Sequence, residues 1–495
     1  MKKRRFLSWI LTLAMLFSMA PTTALAVNLP STYDAVYNAA NLEAATLFED
    51  GKTYRLTGTG TTPVKIGTGK HVIIVLDGVT ISSATSPIQV EAGAQLTLIP
   101  KYNTENNLTC TSDTVQKVTD NNAGGLTAGI SVPENATLII YKDDAGEGTL
   151  NVTGGYGGAG IGSSAKTTLH DNLRGNSGTD GTLGSLGHDY AQTSGSFGTG
   201  GQGGRYGTDT QNAGTITING SILNVTGGTG SAGIGGGLGG AGEIGGNGHD
   251  GKQGQAGTTW DDNRRIKTCG ASGGSGAGGN GGNGGSGGSG GSVNITGGRI
   301  TVAGGTGAAG IGGGAGGTGG AGGAGGKAIV GKTGARRQAK VNGWNDAFYT
   351  CGTGGAGGAG AGGYGGRGGR GGNAGTLNIL GGYVSARGAV GFGPGPAGVD
   401  GRKGSGNKTN GSVGESSYVE WSAHNDWGTR VPQGNGTYIY WNPGNGLWCY
   451  YGTATTGGNG GAAGAQAQAN SDGAAGTMQI TNSNANVDFV STGGG

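Results

Sequence analysis

The chain has 495 residues, 125 of them glycine and 10 proline, with 31 basic against 28 acidic side chains and a formal net charge of +3. So little proline excludes a collagen triple helix, which needs a strict Gly-X-Y period rich in proline. Charge this evenly balanced and scattered along the chain excludes the basic patch of a nucleic-acid binder and a strongly acidic partner.

The N-terminus reads MKKRR, then an apolar run from Phe6 to Ala20, then Ala24-Leu25-Ala26. That order is a secretory signal peptide, residues 1–26, cleaved after Ala26. The apolar run is short for a bilayer span. The mature chain is therefore expected to be exported, free or associated with the cell wall, with no membrane contact beyond the signal peptide. Residues 27–50 follow as an N-terminal cap, with helical apolar spacing over 33–49 that would cover an exposed strand edge.

From residue 51 to 164 the pattern changes to short alternating strands: Val72 to Leu76, Val79 and Ile81 after Asp77-Gly78, Ile88 and Val90, Leu96 and Leu98, Ile130 and Val132. A motif then recurs at unequal spacing: NVTGGYGGAGIG from Asn151, NVTGGTGSAGIG from Asn224, TVAGGTGAAGIG from Thr301 and a drifted SARGAVGFGPG from Ser385. Strands precede it: TLIIY from Thr137, GTITI from Gly214, GSVNI from Gly291, GTLNI from Gly375, with GTMQI from Gly476 opening a last copy.

Aligned, residues 214–237 and 291–314 place period-2 apolar positions in register: Ile216, Ile218, Leu223, Val225 and Ile234 over Val293, Ile295, Ile300, Val302 and Ile311. The next copies give Leu377, Ile379, Val384, Ala386 and Phe392, then Met478, Ile480, Ala485 and Val487. Three short strands per unit, broken by Gly or Asn-Gly turns, predict one coil of a right-handed parallel β-helix, an all-β solenoid with coils about 4.8 Å apart. Coils 51–164 would be followed, over 165–495, by coils carrying glycine-rich insertions at 165–213, 238–290, 315–374 and 396–475.

These insertions run Gly-Gly-x outward, pass through a non-repetitive tip and return in the same rhythm. A three-residue period with two glycines matches an extended helix of three residues per turn whose glycine faces allow close backbone approach. The competing reading is a flexible Gly/Ser linker. The tips hold every tryptophan after Trp9: Trp260, Trp344, Trp421, Trp427, Trp441 and Trp448, with Tyr438 and Tyr440 among accompanying tyrosines. Such rings either stack on sugars and grip a protein partner or pack on one another to hold the arms. Cys269, Cys351 and Cys449 sit at or near the start of returning arms. In an exported protein this makes them candidates for a disulfide between arms, most simply Cys269 with Cys351, and with Cys110 also present the pairing stays open.

Catalytic patterns do not assemble. Asp143-Asp144 and Asp261-Asp262 are isolated pairs, and His71, His170, His188, His249 and His424 lack ligand or triad spacing. GGNGHD at 245–250 echoes the calcium-binding nonapeptide repeat, once and without the tandem copies an ion needs, so calcium is the one ion the sequence raises and no other cofactor is expected.

The segments VIIVLDGVTI (72–81), SPIQVEAGAQLTLI (86–99), AGISVPENATLII (128–140) and GTLNVTGGYGGAGIG (148–162) resemble the β-helical regions of large secreted surface proteins of Gram-positive gut bacteria, some of the carbohydrate-binding β-helix type. By rhythm, the arms resemble the glycine-rich sandwiches of phage tail-fibre adhesins. The resemblance implies the fold more firmly than a function. The expectation is a non-catalytic structural or adhesive module whose partner is a glycan or a surface protein of host or neighbouring cells. The alternative is a polysaccharide-binding module that uses a face of the β-helix, with calcium assistance.

Overall fold

The computed structural model describes residues 32–43, 48–113, 126–165, 177, 201–249, 283, 285–327, 363–406, 473–481 and 485–491, and the backbone of six strands within 336–350 and 418–450. The expected signal peptide, residues 1–26, lies outside the described residues. The described chain is all-β: its one helical element is a 3-10 turn at Ala39–Asn41, and the strands of both large sheets, 13-stranded and 7-stranded, are parallel. No helix among the described residues is long and apolar enough to cross a membrane.

Alternation builds the larger sheet. In Thr215–Thr226, Ile216, Ile218, Leu223 and Val225 are buried, while the residues between them in each half of the strand face outward or are only partly covered. The strand turns a corner at Gly220 (φ 108°) and Ser221 (φ 77°), so its halves belong to two walls. Ser221 holds this left-handed conformation with its hydroxyl donating to the Tyr141 carbonyl at 3.1 Å. His71–Ser83 turns the same way at Gly78 (φ 67°). Because such strands serve both walls, His71–Ser83, Gln95–Pro100, Thr137–Tyr141, Thr215–Thr226, Thr149–Thr153 and Glu105–Cys110 close a ring of parallel pairings. The smaller sheet forms the third wall, from Val64–Ile66 to Phe392–Gly393.

Identical positions stack. Ile74, Leu98, Ile140, Ile218, Ile295 and Ile379 are consecutive partners on the first wall, and all are fully buried. Ile88, Ile130, Ile161, Ile234 and Ile311 do the same on the third. Each such side chain contributes about 1.5–3 kcal/mol on leaving water, and only neighbouring units cover it. Outside the second wall, Asn224 Nδ2 donates to Asn151 Oδ1 and Asn151 Nδ2 to Asn107 Oδ1, both at 2.8 Å, a ladder of amides that locks the same register.

The repeat alignment holds through Ile311 over Phe392. It slips in the last unit, where Val487 and Phe489 pair with Val384 and Ala386, the places expected for Ala485 and Val487. The connection after Ile480 takes two more residues than its counterparts, and on a period-2 strand a two-residue slip keeps the inward face apolar. The expected helix over 33–49 is also corrected. Ala35–Asn38 is a strand paired in parallel with Thr53–Gly60, followed by the 3-10 turn that the Asn38 side chain caps at Ala40 N. Edge pairing satisfies the backbone of Thr53–Gly60, which a helix beside it would leave open. Tyr37, Phe48 and Tyr54 then close this end, with ring centroids 5.0–5.9 Å apart.

Candidate functional site

Glycine-rich segments leave after third-wall strands and return before first-wall strands. Outgoing segments at 236–249, 313–327 and 394–406 lie side by side and parallel. Gly239, Gly242, Gly245 and Gly248 donate to the carbonyls of Ala315, Thr318, Ala321 and Ala324 at 2.8–2.9 Å, and Gly316, Gly319, Gly322 and Gly325 donate to those of Pro396, Val399, Arg402 and Ser405 at 2.8–2.9 Å. Returning segments at 201–213, 285–290, 363–374 and 473–476 form a second parallel layer. Antiparallel bonds join the layers: Gly363, Gly366, Gly369 and Gly372 donate to Gly323, Gly320, Gly317 and Gly314 at 2.6–2.8 Å, and Gly395, Gly398, Gly401 and Gly404 donate to Gly372, Gly369, Gly366 and Gly363 at 2.8–2.9 Å.

Donors recur at every third residue, the repeat of a polyproline II helix. An isolated helix of this kind has no internal hydrogen bonds, and here its neighbours supply them. Two glycines per turn are a steric requirement. A Cβ at Gly316 would stand 2.0 Å from the Gly369 carbonyl oxygen in the other layer, and one at Gly317 would stand 1.9 Å from that of Gly240 in its own layer, whereas the third residue of the turn, Thr318, is exposed. The described parts of the arms are thus an ordered two-layer bundle. Outward Asp and Asn side chains tie adjacent helices by accepting from amides of the next: Asp209 from Ser286 (2.6 Å), Asn212 from Ser289 (3.1 Å), Asn283 from Arg367 (2.8 Å) and Asn373 from Ala474 (2.8 Å).

Two small antiparallel sheets form from the tip sequences. Arg336–Val341 and Trp344–Thr350, from the third insertion, pair with Tyr418–Trp421 from the fourth, so two arms share one sheet. Arg430–Gln433, Thr437–Asn442 and Leu447–Tyr450 form the other. Cα atoms of Tyr418–Trp421 come within 8 Å of those of Leu447–Tyr450. Trp421 is registered opposite Ala347, and Trp441 opposite Trp448. Strand alternation puts positions 439, 441, 448 and 450 on one face of the second sheet and 438, 440 and 449 on the other.

The structure therefore gathers Trp344 and Trp421 in one tip sheet, and Trp441, Trp448, Tyr438 and Tyr440 in its neighbour. Trp260, Trp427, Cys269 and Cys351 lie outside the described residues. Cys449 is opposite Tyr440. Cys110 is a buried free thiol beneath Gly155, and burial pushes its pKa up.

Among the described residues no three of His, Cys, Asp and Glu converge. Asp143 is a turn residue, accepting from the Tyr102 and Ala145 amides at 2.9 and 3.1 Å. Asp77 belongs to a cluster the sequence did not reveal, because Arg55 and Lys101 reach it from the two neighbouring strands. Burial alone would push the Asp77 carboxyl up, and hydrogen bonds from Lys101 and Arg55 outweigh it and hold the pKa below the usual value. Also unread in the sequence were the outward residues of the bundle, which the third position of each Gly-Gly-x turn would have marked. Comparison of the chain with family models, curated proteins and solved structures gives no match.

Proposed function

We propose that this chain is an exported, non-catalytic surface scaffold: a right-handed parallel β-helix whose glycine arms carry aromatic tips into contact with a glycan or a surface protein of host or neighbouring cells. The β-helix reading is supported by the order in which the chain meets the walls. It passes Thr137–Tyr141, Thr149–Thr153 and Ile161–Gly162, then the two halves of Thr215–Thr226 and Ile234–Gly235, then those of Ser292–Ala303 and Ile311–Gly312, first, second and third wall each time. A barrel closes on itself, whereas this order adds one layer per circuit. The ring of pairings follows from strands that round the corner between two walls. On this reading the chain resembles the β-helical surface proteins to which its coil segments are similar.

The observation that carries the functional reading is the register at the tips: Trp441 is registered opposite Trp448 in one strand pair, with the Trp421 strand alongside, in an insertion whose described arm segments, 394–406 and 473–476, are held by main-chain bonds. Flat aromatic groups on a rigid support bury large apolar area at little entropic cost, the requirement for stacking on sugar rings or anchoring a protein contact. A glycan array probed with the full chain tests it. Binding is expected, and expected to vanish in the Trp421→Ala, Trp441→Ala, Trp448→Ala triple variant with its β-sheet circular dichroism intact; unchanged binding overturns the tip reading.

A second reading, a polysaccharide laid along the helix itself, is favoured by the column Thr137, Thr215, Ser292, Thr376 and Thr477 on the outer side of the first wall, one hydroxyl per unit. On that reading the tip variant keeps its binding, Thr215→Lys with Ser292→Lys removes it, and chelation of calcium weakens it if the ion assists.

A further inference from the structure

We infer that the outer face of the outgoing glycine layer is a self-association surface through which two copies of this chain pair about a two-fold axis. The two faces of the bundle differ sharply. On the outgoing layer the outward positions are Leu238, Ala241, Ile244 and Asn247, then Ala315, Thr318, Ala321, Ala324 and Lys327, then Pro396, Val399, Arg402 and Ser405; Lys327 and Arg402 are the charges among them, and Leu238 and Ala315, next to the walls, are half-buried and buried. On the returning layer the described outward positions include Tyr206, Asp209, Asn212, Arg367, Arg370 and Asn373.

This apolar character is not needed to build the bundle. Its helices meet backbone to backbone, and on this layer Asn247, accepting from the Ala324 amide at 3.0 Å, ties one helix to the next while the apolar side chains of Ile244 and Val399 take no hydrogen bond. Yet Val399 is 73% exposed and Ile244 38% exposed, and Ala241 and Thr318 are exposed beside them. Exposed apolar groups gathered on one flat face mark an interface.

A second copy fits this face in three respects. First, it needs no partner of strongly opposite charge, because the described face carries two cations, Arg402 on its edge helix and Lys327 at its far end. Second, the face is periodic, with rows about 9 Å apart along each helix and helices about 5 Å apart. The ridges made by Ile244 and Val399 therefore find the shallow ground of Ala241, Ala321 and Ala324 in a copy turned through 180°, the self-complementarity an isologous contact requires. Third, the three rows beyond Leu238, Ala315 and Pro396 span about 400 Å² on three helices, so a pair buries about 800 Å², the size of a weak and reversible contact. Such a dimer sets two groups of tips side by side and raises avidity without any new contact to the target. The inference stands whether or not the tips bind a glycan.

Sedimentation velocity of the full chain over about 1–100 µM tests it. The weight-average mass is expected to rise with concentration toward that of two chains. Ile244→Asp with Val399→Asp is expected to weaken the dimer at least tenfold, and Arg367→Ala with Arg370→Ala on the opposite face to leave it unchanged, all three proteins keeping the same β-sheet circular dichroism. A single-chain mass throughout, a dimer indifferent to the two aspartates, or growth beyond two chains overturns it.

Discussion

Replacing Gly317 by alanine distinguishes an ordered arm from a linker by the sign of the effect. The new Cβ would lie 1.9 Å from the Gly240 carbonyl oxygen, a backbone atom with no rotamer to yield. A normal contact needs about 3 Å or more, so the 313–327 helix must move about an ångström from its neighbour. Gly317 donates to Gly285 at 2.8 Å and accepts from Gly369 at 2.6 Å, and both bonds are strained by that shift. Two weakened bonds at about 1 kcal/mol each and overpacking of about 1–3 kcal/mol give a loss of about 3–5 kcal/mol. Thr318→Ala, one residue on and exposed, is expected to cost less than about 0.5 kcal/mol. In a flexible linker, alanine at 317 would be silent or stabilising by about 0.4–1 kcal/mol, because it lowers the entropy of the open chain. Urea unfolding followed by limited proteolysis within the arms reads the difference. Equal stability of the two variants, or a gain at 317, refutes the bundle.

Two further outcomes follow from the parallel sheets. Ile295→Ala, between Ile218 and Ile379 in the first-wall column, is expected to destabilise by about 2–5 kcal/mol in chemical denaturation; a cost below about 1 kcal/mol would mean that the column is not continuous. Asp77 has a folded pKa below its usual 3.8, so its stabilisation is present above that value and is lost as pH falls through the lowered folded value. Asp77→Asn is expected to flatten the fall in Tm with pH in this acid range, and an unchanged pH profile would separate Asp77 from Arg55 and Lys101.

The parallel strands and their register were legible in the sequence because each wall reports itself through period-2 burial, and stacking demands the same residue type at the same place: Ile216 over Val293, Ile234 over Ile311. The slip at Val487 was not, since Ala485 and Val487 share the parity of Val487 and Phe489 and suit an inward face equally well. The strand at Ala35–Asn38 was hidden because four residues fit either period and a parallel partner decided the outcome. In the arms the three-residue rhythm was visible, but composition is the same for a linker and a bundle; the difference lies in carbonyls of Gly240, Gly369 and their like arriving where a Cβ would be. Tip pairing between the third and fourth insertions, Ala347 with Trp421, joins segments far apart in the chain, and no local pattern announces it.

The account stands on arms held by main-chain bonds, and residue-resolved hydrogen exchange of the unmodified protein tests that most directly. Slow exchange is predicted at Gly316, Gly319, Gly322 and Gly325 and at Gly395, Gly398, Gly401 and Gly404, with fast exchange at Thr318 and Ala321, whose amides have no acceptor among the described residues. Uniformly fast exchange across these segments would contradict it.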